Sequence, residues 1–376
     1  MNAKRFYAFF ALSLHLSKHD KNMKKIITAM DSFKGCMTSH QANEAVRKGL
    51  LEALNNNVEV ISFDVSDGGE GFLEAMRPDE IVHCHVHDAM MRWADSAFGI
   101  KNGVGVIEVA RAAGLTMIEP EYRNPLVATS YGVGELIANA YRRGCREFVV
   151  GLGGSATSDC GLGMLRALRQ AWQTAHGKMW YDNFDTSVLK ELKVTVATDV
   201  RNPLYGSNGA AKVFAQQKGA TQDMIELLDR RAKTFAKMAA LHQGYDASGE
   251  AGAGAAGGLG YAFMEFMTAE VKRGADVVLD ALHFDDALNG AEAVVTGEGS
   301  SDNQTLMGKL PSVVLQRAKE KNIPVYLLAG RIADNEPLKA AGFSKLININ
   351  DGWDAADDVL REDVAEKRLK AACKMI

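Results

Sequence analysis

The chain has 376 residues, 47% of them hydrophobic and 24% charged, with a formal net charge of -4 at pH 7. That length suits about two domains, each able to bury its own core, and the composition is that of an ordinary globular protein. The small negative charge and a sequence pI of about 6.2 exclude a dominant attraction to nucleic acid or to an anionic membrane surface, which leaves a small molecule as the expected partner.

Residues 1–22 place Lys4-Arg5 ahead of the apolar stretch Phe6 to Leu16, the order of a secretory signal, but no small-residue cleavage site follows. They read as a disordered extension or a mis-assigned start, because Met23-Lys24-Lys25 directly precedes the first strand-like run. No later run reaches the roughly 18 apolar residues of a membrane span. Cys36, Cys84, Cys145, Cys160 and Cys373 form neither C-x-x-C pairs nor an even disulfide framework. They point to a reducing, cytoplasmic setting.

Lys25 to Met30 reads as a buried strand ending in Asp31-Ser32-Phe33-Lys34-Gly35, and Thr38-x-x-Gln41 has the form of a capping box for a helix to about Leu54. A second strand, about Val58 to Val65, ends in Ser66-Asp67-Gly68-Gly69-Glu70-Gly71. Open α/β sheets bind ligands at the carboxyl ends of their strands, so both loops are candidates for one site. From Glu80 to Glu108 the pattern alternates, with a hairpin expected around Asn102-Gly103. His83, His85 and His87 share one face of that material. With no carboxylate or Cys on the same face, an exposed face or interface is a better reading than a metal site.

A helix is expected from Tyr131 to Arg143 and a strand from Arg146 to Val150, leading into the glycine-rich stretch Gly151 to Gly163 and a further helix. Free backbone N–H groups and the positive helix end together suit a phosphate, although the same glycines also suit a plain tight turn. Neither a P-loop nor a G-x-G-x-x-G fingerprint is present. The strand Lys193 to Thr198 ends in Asp199-Val-Arg-Asn202-Pro203, where Asp199 is placed for a metal or a hydroxyl proton, or else for an Asx-type turn. Gln222 to His242 reads as a surface helix. The small residues of Glu250 to Gly260 permit close approach of backbone to a ligand or between helices.

From Ala291 the βα rhythm returns: a strand at Ala293 to Thr296, a loop from Gly297 to Thr305 carrying Glu298, Asp302 and Gln304, a helix opened by Pro311, and strands at Pro324 to Ala329 and Lys345 to Asn350. The expected fold is α/β with two domains: a Rossmann or flavodoxin-like parallel sheet from residues 23–66 plus 287–376, interrupted by a larger inserted α/β domain, residues 67–286.

Taken in order, Asp31-Ser-Phe-Lys-Gly35, Asp67-Gly-Gly-Glu-Gly71, Asn124-Pro with Thr129 to Glu135, Gly151-Leu-Gly-Gly-Ser-Ala-Thr157, Asp199-x-x-Asn-Pro203, Gln217-Lys-Gly219, Gly252 to Gly258, and Gly297-Glu-Gly299 with Asp302-x-Gln-Thr305 resemble the bacterial type-1 glycerate kinases, from about residue 23 to the C-terminus. The resemblance implies two α/β domains and ATP-dependent phosphorylation of D-glycerate, usually at the 2-hydroxyl, with Mg²⁺. Phosphoryl transfer needs positioning and charge neutralisation. On that basis Gly153, Gly154, Ser155 and Thr157 would bind ATP phosphates, and Lys34 would meet the transferring phosphoryl group or the glycerate carboxylate. Asp199 would be a metal ligand or take the hydroxyl proton. Glu70 joins Lys34 and Asp199 as a catalytic candidate, and Asp302 joins Asp199 as a metal candidate. Asp31, Ser32, Asp67, Gly68, Gly69, Asn202, Glu298 and Gln304 would line the substrate and cofactor sites.

Several positions depart from that pattern. Ser300 and Ser301 stand where an Arg and an apolar residue are usual, Phe72 for Thr, Ser158 for Asn, Cys160 for Gly and Cys36 for Ser, and the segment from about Gln170 to Lys193 is short. These leave open a kinase of another small hydroxy acid, or a ligand sensor without turnover. An oligomer is compatible with the sequence. Cys160 reads as a small space-filling residue or as a redox-sensitive thiol.

Overall fold

The computed structural model describes residues 23–33, 35–175, 186–354 and 358–376. The readings made for residues 1–22 and for Lys34, and part of the short segment before Lys193, lie outside the described residues. The strands in chain order are β1 (Lys24–Met30), β2 (Val58–Ser62), β3 (Glu80–His87), β4 (Trp93–Lys101), β5 (Val104–Glu108), β6 (Glu147–Gly151), β7 (Lys193–Ala197), β8 (Glu270–Lys272), β9 (Ala293–Ser301), β10 (Val325–Ile332) and β11 (Lys345–Asn348). The chain divides into two compact units. One ends its first segment at Val65 and takes in His283–Ile376, and the other is Ser66–Leu282.

The first unit holds a five-stranded sheet in the order β11-β10-β9-β1-β2, with every pairing parallel. Ile26, Met30, Val295 and Leu328 pack against Ala42, Val46 and Leu50 of the helix Ser39–Ala53 and Leu369 of the helix Glu362–Ala372. The capping box closes as its spacing predicts: the Gln41 N–H donates to Thr38 Oγ1 at 3.2 Å and the Thr38 N–H to Gln41 Oε1 at 2.8 Å. One expectation is corrected here. The stretch after Thr296 is not loop, because β9 continues to Ser301 and pairs Ser300 with Arg331 and Ser301 with Ile332 of the equally extended β10. Gly297 misled because glycine usually punctuates a strand. Here it lets neighbouring backbones close up, since a Cβ would lie 2.1 Å from the Leu328 carbonyl oxygen.

The second unit holds a six-stranded sheet, β3-β4-β5-β6-β7-β8. Its first two pairings are antiparallel and the rest parallel. Asn102 and Gly103, with φ of 50° and 80°, make the β4–β5 hairpin turn that their sequence predicts. Phe98, Ile107, Phe148, Val150 and Val196 form the core with Ile137, Met164, Leu168 and Phe263 from the helices Tyr131–Arg142, Leu162–Ala175 and Leu259–Met267.

The histidine row of β3 is not free of carboxylates. His85 lies opposite Asp95 of β4, with Nδ1 2.6 Å from Oδ1, and His87 Nδ1 lies 3.0 Å from Glu135 Oε1 of the helix Tyr131–Arg142. Alternation along one strand cannot show what the next strand or a covering helix brings. Even so, among the described residues no group of three or more His, Cys, Asp or Glu could hold a metal ion.

Candidate active site

The loop after β6 is stitched into the second unit from both sides. The Leu152 N–H donates to the Ala197 carbonyl at 3.1 Å, Gly153 to Gly68 at 2.8 Å, Ala156 to Ala113 at 2.8 Å, and Leu115 donates to Gly154 at 2.8 Å. The turn that receives Gly153 depends on Gly68, whose φ is +96° and whose added Cβ would lie 2.4 Å from the Ala197 oxygen. The Gly153 N–H, expected to meet a phosphate, therefore serves the fold. The N–H groups of Gly154, Ser155 and Thr157 have no hydrogen-bond partner among the described residues.

Behind this loop sits Lys218, only 4% exposed. Its Nζ donates to Ser155 Oγ at 3.1 Å and to the Thr157 carbonyl at 2.7 Å. Burial pushes its pKa down from 10.5 to about 8, with Asp159 opposing the fall. Lys218 belongs to the Gln217-Lys-Gly219 motif, but the motif alone assigns it no role. Its partners lie some sixty positions earlier in the chain.

The helix Leu162–Ala175 does not offer its N-terminus to a ligand, which corrects the phosphate-at-the-helix-end reading. Asp159 Oδ1 accepts the Gly161 N–H at 3.1 Å, Asp159 Oδ2 the Gly163 N–H at 3.0 Å, and the Asp159 carbonyl the Leu162 N–H at 3.0 Å. Ser130 Oγ takes the Met164 N–H at 3.0 Å. Those first-turn donors are spent on a carboxylate cap, so any anion site lies earlier, at Gly154 to Thr157.

At the carboxyl end of β7, Asp199 Oδ1 accepts the Gly274 N–H at 3.1 Å. The Asx-type alternative does not form among the described residues: an Asx turn at Asp199 would take the Arg201 N–H, whereas the Asp199 side chain accepts from Gly274, and the nearby Val200 N–H goes to Thr198 Oγ1 at 3.2 Å. Asp199 is reached by water on one side and crowded by protein on the other. That crowding, then the charge of Asp67, pushes its carboxyl up from 3.8 to about 6, against the pull of the Gly274 N–H and the Arg273 guanidinium. Asp67 Oδ1 accepts the Gly69 N–H at 3.0 Å. Glu70 Oε1 accepts the Thr116 hydroxyl at 2.9 Å and stands beside Gly154. Asn202 holds structure: its Nδ2 donates to the Asn208 carbonyl at 2.8 Å and its carbonyl takes the Gly254 N–H at 2.8 Å.

The segment 250–260 closes on this same loop. A Cβ on Gly257 would sit 1.9 Å from the Thr157 carbonyl oxygen, and the Cys160 N–H donates to the Gly257 carbonyl at 3.1 Å.

The remaining candidates belong to the first unit. The Asp31 N–H donates to the Gly297 carbonyl at 2.8 Å, and Asp31 Oδ1 accepts the Ser32 N–H at 2.7 Å. Glu298 is 5% exposed. It accepts from Ser301 Oγ at 3.0 Å, Thr305 Oγ1 at 2.5 Å and Lys309 Nζ at 3.4 Å. Asp302 Oδ1 takes the Gln304 N–H at 2.7 Å while the Asp302 N–H donates to Thr305 Oγ1 at 3.0 Å. Glu298 and Asp302 thus build the segment after β9. Asp199 and Asp302, paired as metal candidates by sequence, stand in different units.

A sequence model of the Glycerate kinase family matches residues 26–376. The chain belongs to the glycerate kinase family. It is 36% identical over 369 residues to the Glycerate kinase of Bacillus subtilis (strain 168), covering 91% of this chain and 94% of that one. It is 37% identical over 331 residues to the Glycerate 2-kinase of Escherichia coli (strain K12), covering 83% and 86%. A crystal structure from Salmonella typhimurium LT2 described as a glycerate kinase 2 is similar with a TM-score of 0.75 and 33% identity, covering 94% of this chain and 97% of that one. Among the described residues no helix is long and apolar enough to cross a membrane.

Family membership gives the departures a physical setting. Cys160 has φ of 54°, a left-handed conformation that favours glycine. Burial pushes its thiol up to about 12, so it stays protonated and fills space. Phe72 is fully buried, with its ring against Gly151, and acts as core. Ser301 finds a polar partner in Glu298.

Proposed function

We propose that this glycerate kinase family member transfers the γ-phosphoryl group of ATP to the 2-hydroxyl of D-glycerate with Mg²⁺ as cofactor. The observation that carries the reading is Asp199: a strand-end carboxylate, coupled to Asp67 by charge, with one oxygen anchored on Gly274 and the other without a hydrogen-bond partner among the described residues. A carboxyl with a pKa near 6 is ionised at neutral pH yet more basic than an ordinary carboxylate, which suits a general base.

The glycerate hydroxyl oxygen forms the new P–O bond, the bond from the γ-phosphorus to the ADP oxygen breaks, and the hydroxyl proton passes to Asp199. The N–H groups of Gly154, Ser155 and Thr157 hold phosphate oxygens, with the Lys218 charge behind them. Lys34 is, by its motif, a further candidate for a compact cation that meets a phosphoryl group or a carboxylate. Asp67, or Asp199 in place of its role as the base, would hold Mg²⁺, a cation that prefers carboxylate oxygens. Asp302 is the further acidic candidate. When bound, the metal neutralises phosphate charge. The Escherichia coli relative's name, Glycerate 2-kinase, supports the 2-hydroxyl.

Incubating the protein with ATP, Mg²⁺ and D-glycerate should give 2-phosphoglycerate by phosphorus NMR. A 3-phosphoglycerate signal overturns the regiochemistry, and the absence of both products overturns the reading. A second reading, a kinase of another small hydroxy acid, is favoured by Ser300-Ser301. Turnover of lactate, tartronate or glycolate with silence on glycerate would select it.

A further inference from the structure

In the second unit β3 is the first strand of its sheet and is paired on one side, with β4. The turn that follows it fixes which backbone groups face β4. The Asp88 N–H donates to the Arg92 carbonyl at 2.8 Å, so Asp88 and Arg92 continue the β3–β4 register as a hydrogen-bonded pair. That pattern repeats every second residue in an antiparallel ladder. Glu80, Val82, Cys84 and Val86 therefore turn their backbone groups to β4, and Ile81, His83, His85 and His87 turn theirs outward. His87 agrees, because its N–H is taken by Glu135 Oε2 at 2.7 Å. The N–H groups of Ile81, His83 and His85 have no hydrogen-bond partner among the described residues.

Natural edges are often blunted by Lys or Pro at such positions. Here the outward residues are Ile81, His83 and His85, all exposed, with Ile81 at 45%. A strand of this kind is self-complementary when it meets its own copy antiparallel about a twofold axis. With His83 opposite His83 of the second copy, Ile81 falls opposite His85, and half-buried Val82 opposite half-buried Cys84. The outward groups of the three residues then pair completely, in about six hydrogen bonds.

The charges along the edge fit the same symmetry. The helix Tyr131–Arg142 runs antiparallel to β3, with Arg143 paired to Glu80 at one end and Glu135 holding His87 at the other. Arg142 is exposed beside Arg143, and among the described residues its guanidinium bonds the Asn139 amide oxygen at 3.0 Å and no carboxylate. A twofold axis at His83 brings the Arg142 end of each helix to the Glu135 end of the other, so positive faces negative twice.

We propose that the free edge of β3 is an interface between two copies of this chain, paired antiparallel about His83. A second copy is the partner because β3 itself supplies both the matching spacing of outward groups and the reversed order of charge. The inference does not rest on the kinase reading.

Sedimentation velocity of the full chain should show a species of twice the 40.7 kDa chain mass. His83→Glu and His83→Lys each set like charges opposite one another on the axis, and each should raise the dimer dissociation constant at least about tenfold. The exposed His83 side chain has no hydrogen bond among the described residues, so the circular dichroism spectrum should be unchanged. Mixing the two variants should restore the dimer as a one-to-one pair, which a general disturbance of the edge would not do. In a Cys84→Ser background, His83→Cys should cross-link two copies under mild oxidation, since opposite residues of a hydrogen-bonded pair stand about 5.5 Å apart at Cα. His85→Cys in the same background should not. A monomer at the highest soluble concentration would overturn the proposal. So would a dimer that persists in both charge variants, a mixture that fails to pair, or cross-linking through position 85 and not 83.

Discussion

Asp159 and Asp199 follow neighbouring parallel strands of the same sheet, β6 and β7, yet their surroundings differ. Asp159 accepts the N–H groups of Gly161, Gly163 and Ser130 and the hydroxyls of Ser130 and Thr129. Among the described residues Asp199 accepts only the Gly274 N–H, and it faces the charge of Asp67. A carboxylate surrounded by donors is committed to holding a helix end. One with a spare oxygen and a like-charged neighbour is held in a state that a proton or a cation relieves. Position at a strand end is therefore not enough to mark a reactive group, and the count of donors around each carboxylate separates the two.

The sharpest way to break this comparison is Asp199→Asn, which keeps the oxygen bonded to Gly274 but removes the charge. Turnover should fall at least about a hundredfold with the fold intact, and kcat/KM of the unaltered protein should rise with pH through about 6 as Asp199 loses its proton. Near-normal turnover in the variant would put Asp199 in the same class as Asp159. The reverse change, Asp159→Ala, should cost about 2 kcal/mol of stability in urea unfolding, because it strips the helix cap and leaves buried donors unmet. Activity per folded molecule should be retained, and a selective loss of ATP binding at unchanged stability would contradict the capping role.

The smallest effect concerns Lys218. Its folded pKa of about 8 lies below the usual 10.5, so between those values the unfolded chain holds more protons than the folded one. The contribution of Lys218 to stability therefore rises with pH across that window. Lys218→Met should remove this rise, as followed by thermal midpoints between pH 8 and pH 10.5. An unchanged slope would mean that Lys218 is solvated and not locked behind the loop.

Much of the architecture was legible because it is written in local chemistry. Apolar runs gave the parallel strands near Ile26, Val60, Val294 and Leu327, Asn102-Gly103 gave the hairpin, and Thr38 with Gln41 gave a helix start. Where local chemistry had two uses, the reading slipped. Gly297 and Gly299 looked like loop residues but pack inside a strand ladder. The glycines before Leu162 looked like an open helix end but lead into a carboxylate cap.

By itself, the sequence determined the α/β class, the family, and the stretches that carry polar chemistry, since periodicity, turn residues and motif order are properties of neighbours along the chain. Only the tertiary structure decided which polar groups are spent and which are free. Asp199 meets Gly274 across 75 positions, Lys218 meets Ser155 across 63 and Asp159 meets Ser130 across 29. Ser300 and Arg331 come together through strand pairing alone. Whether a carboxylate is a cap or a base depends on partners that sheet order brings together, and sheet order is set by packing over the whole unit.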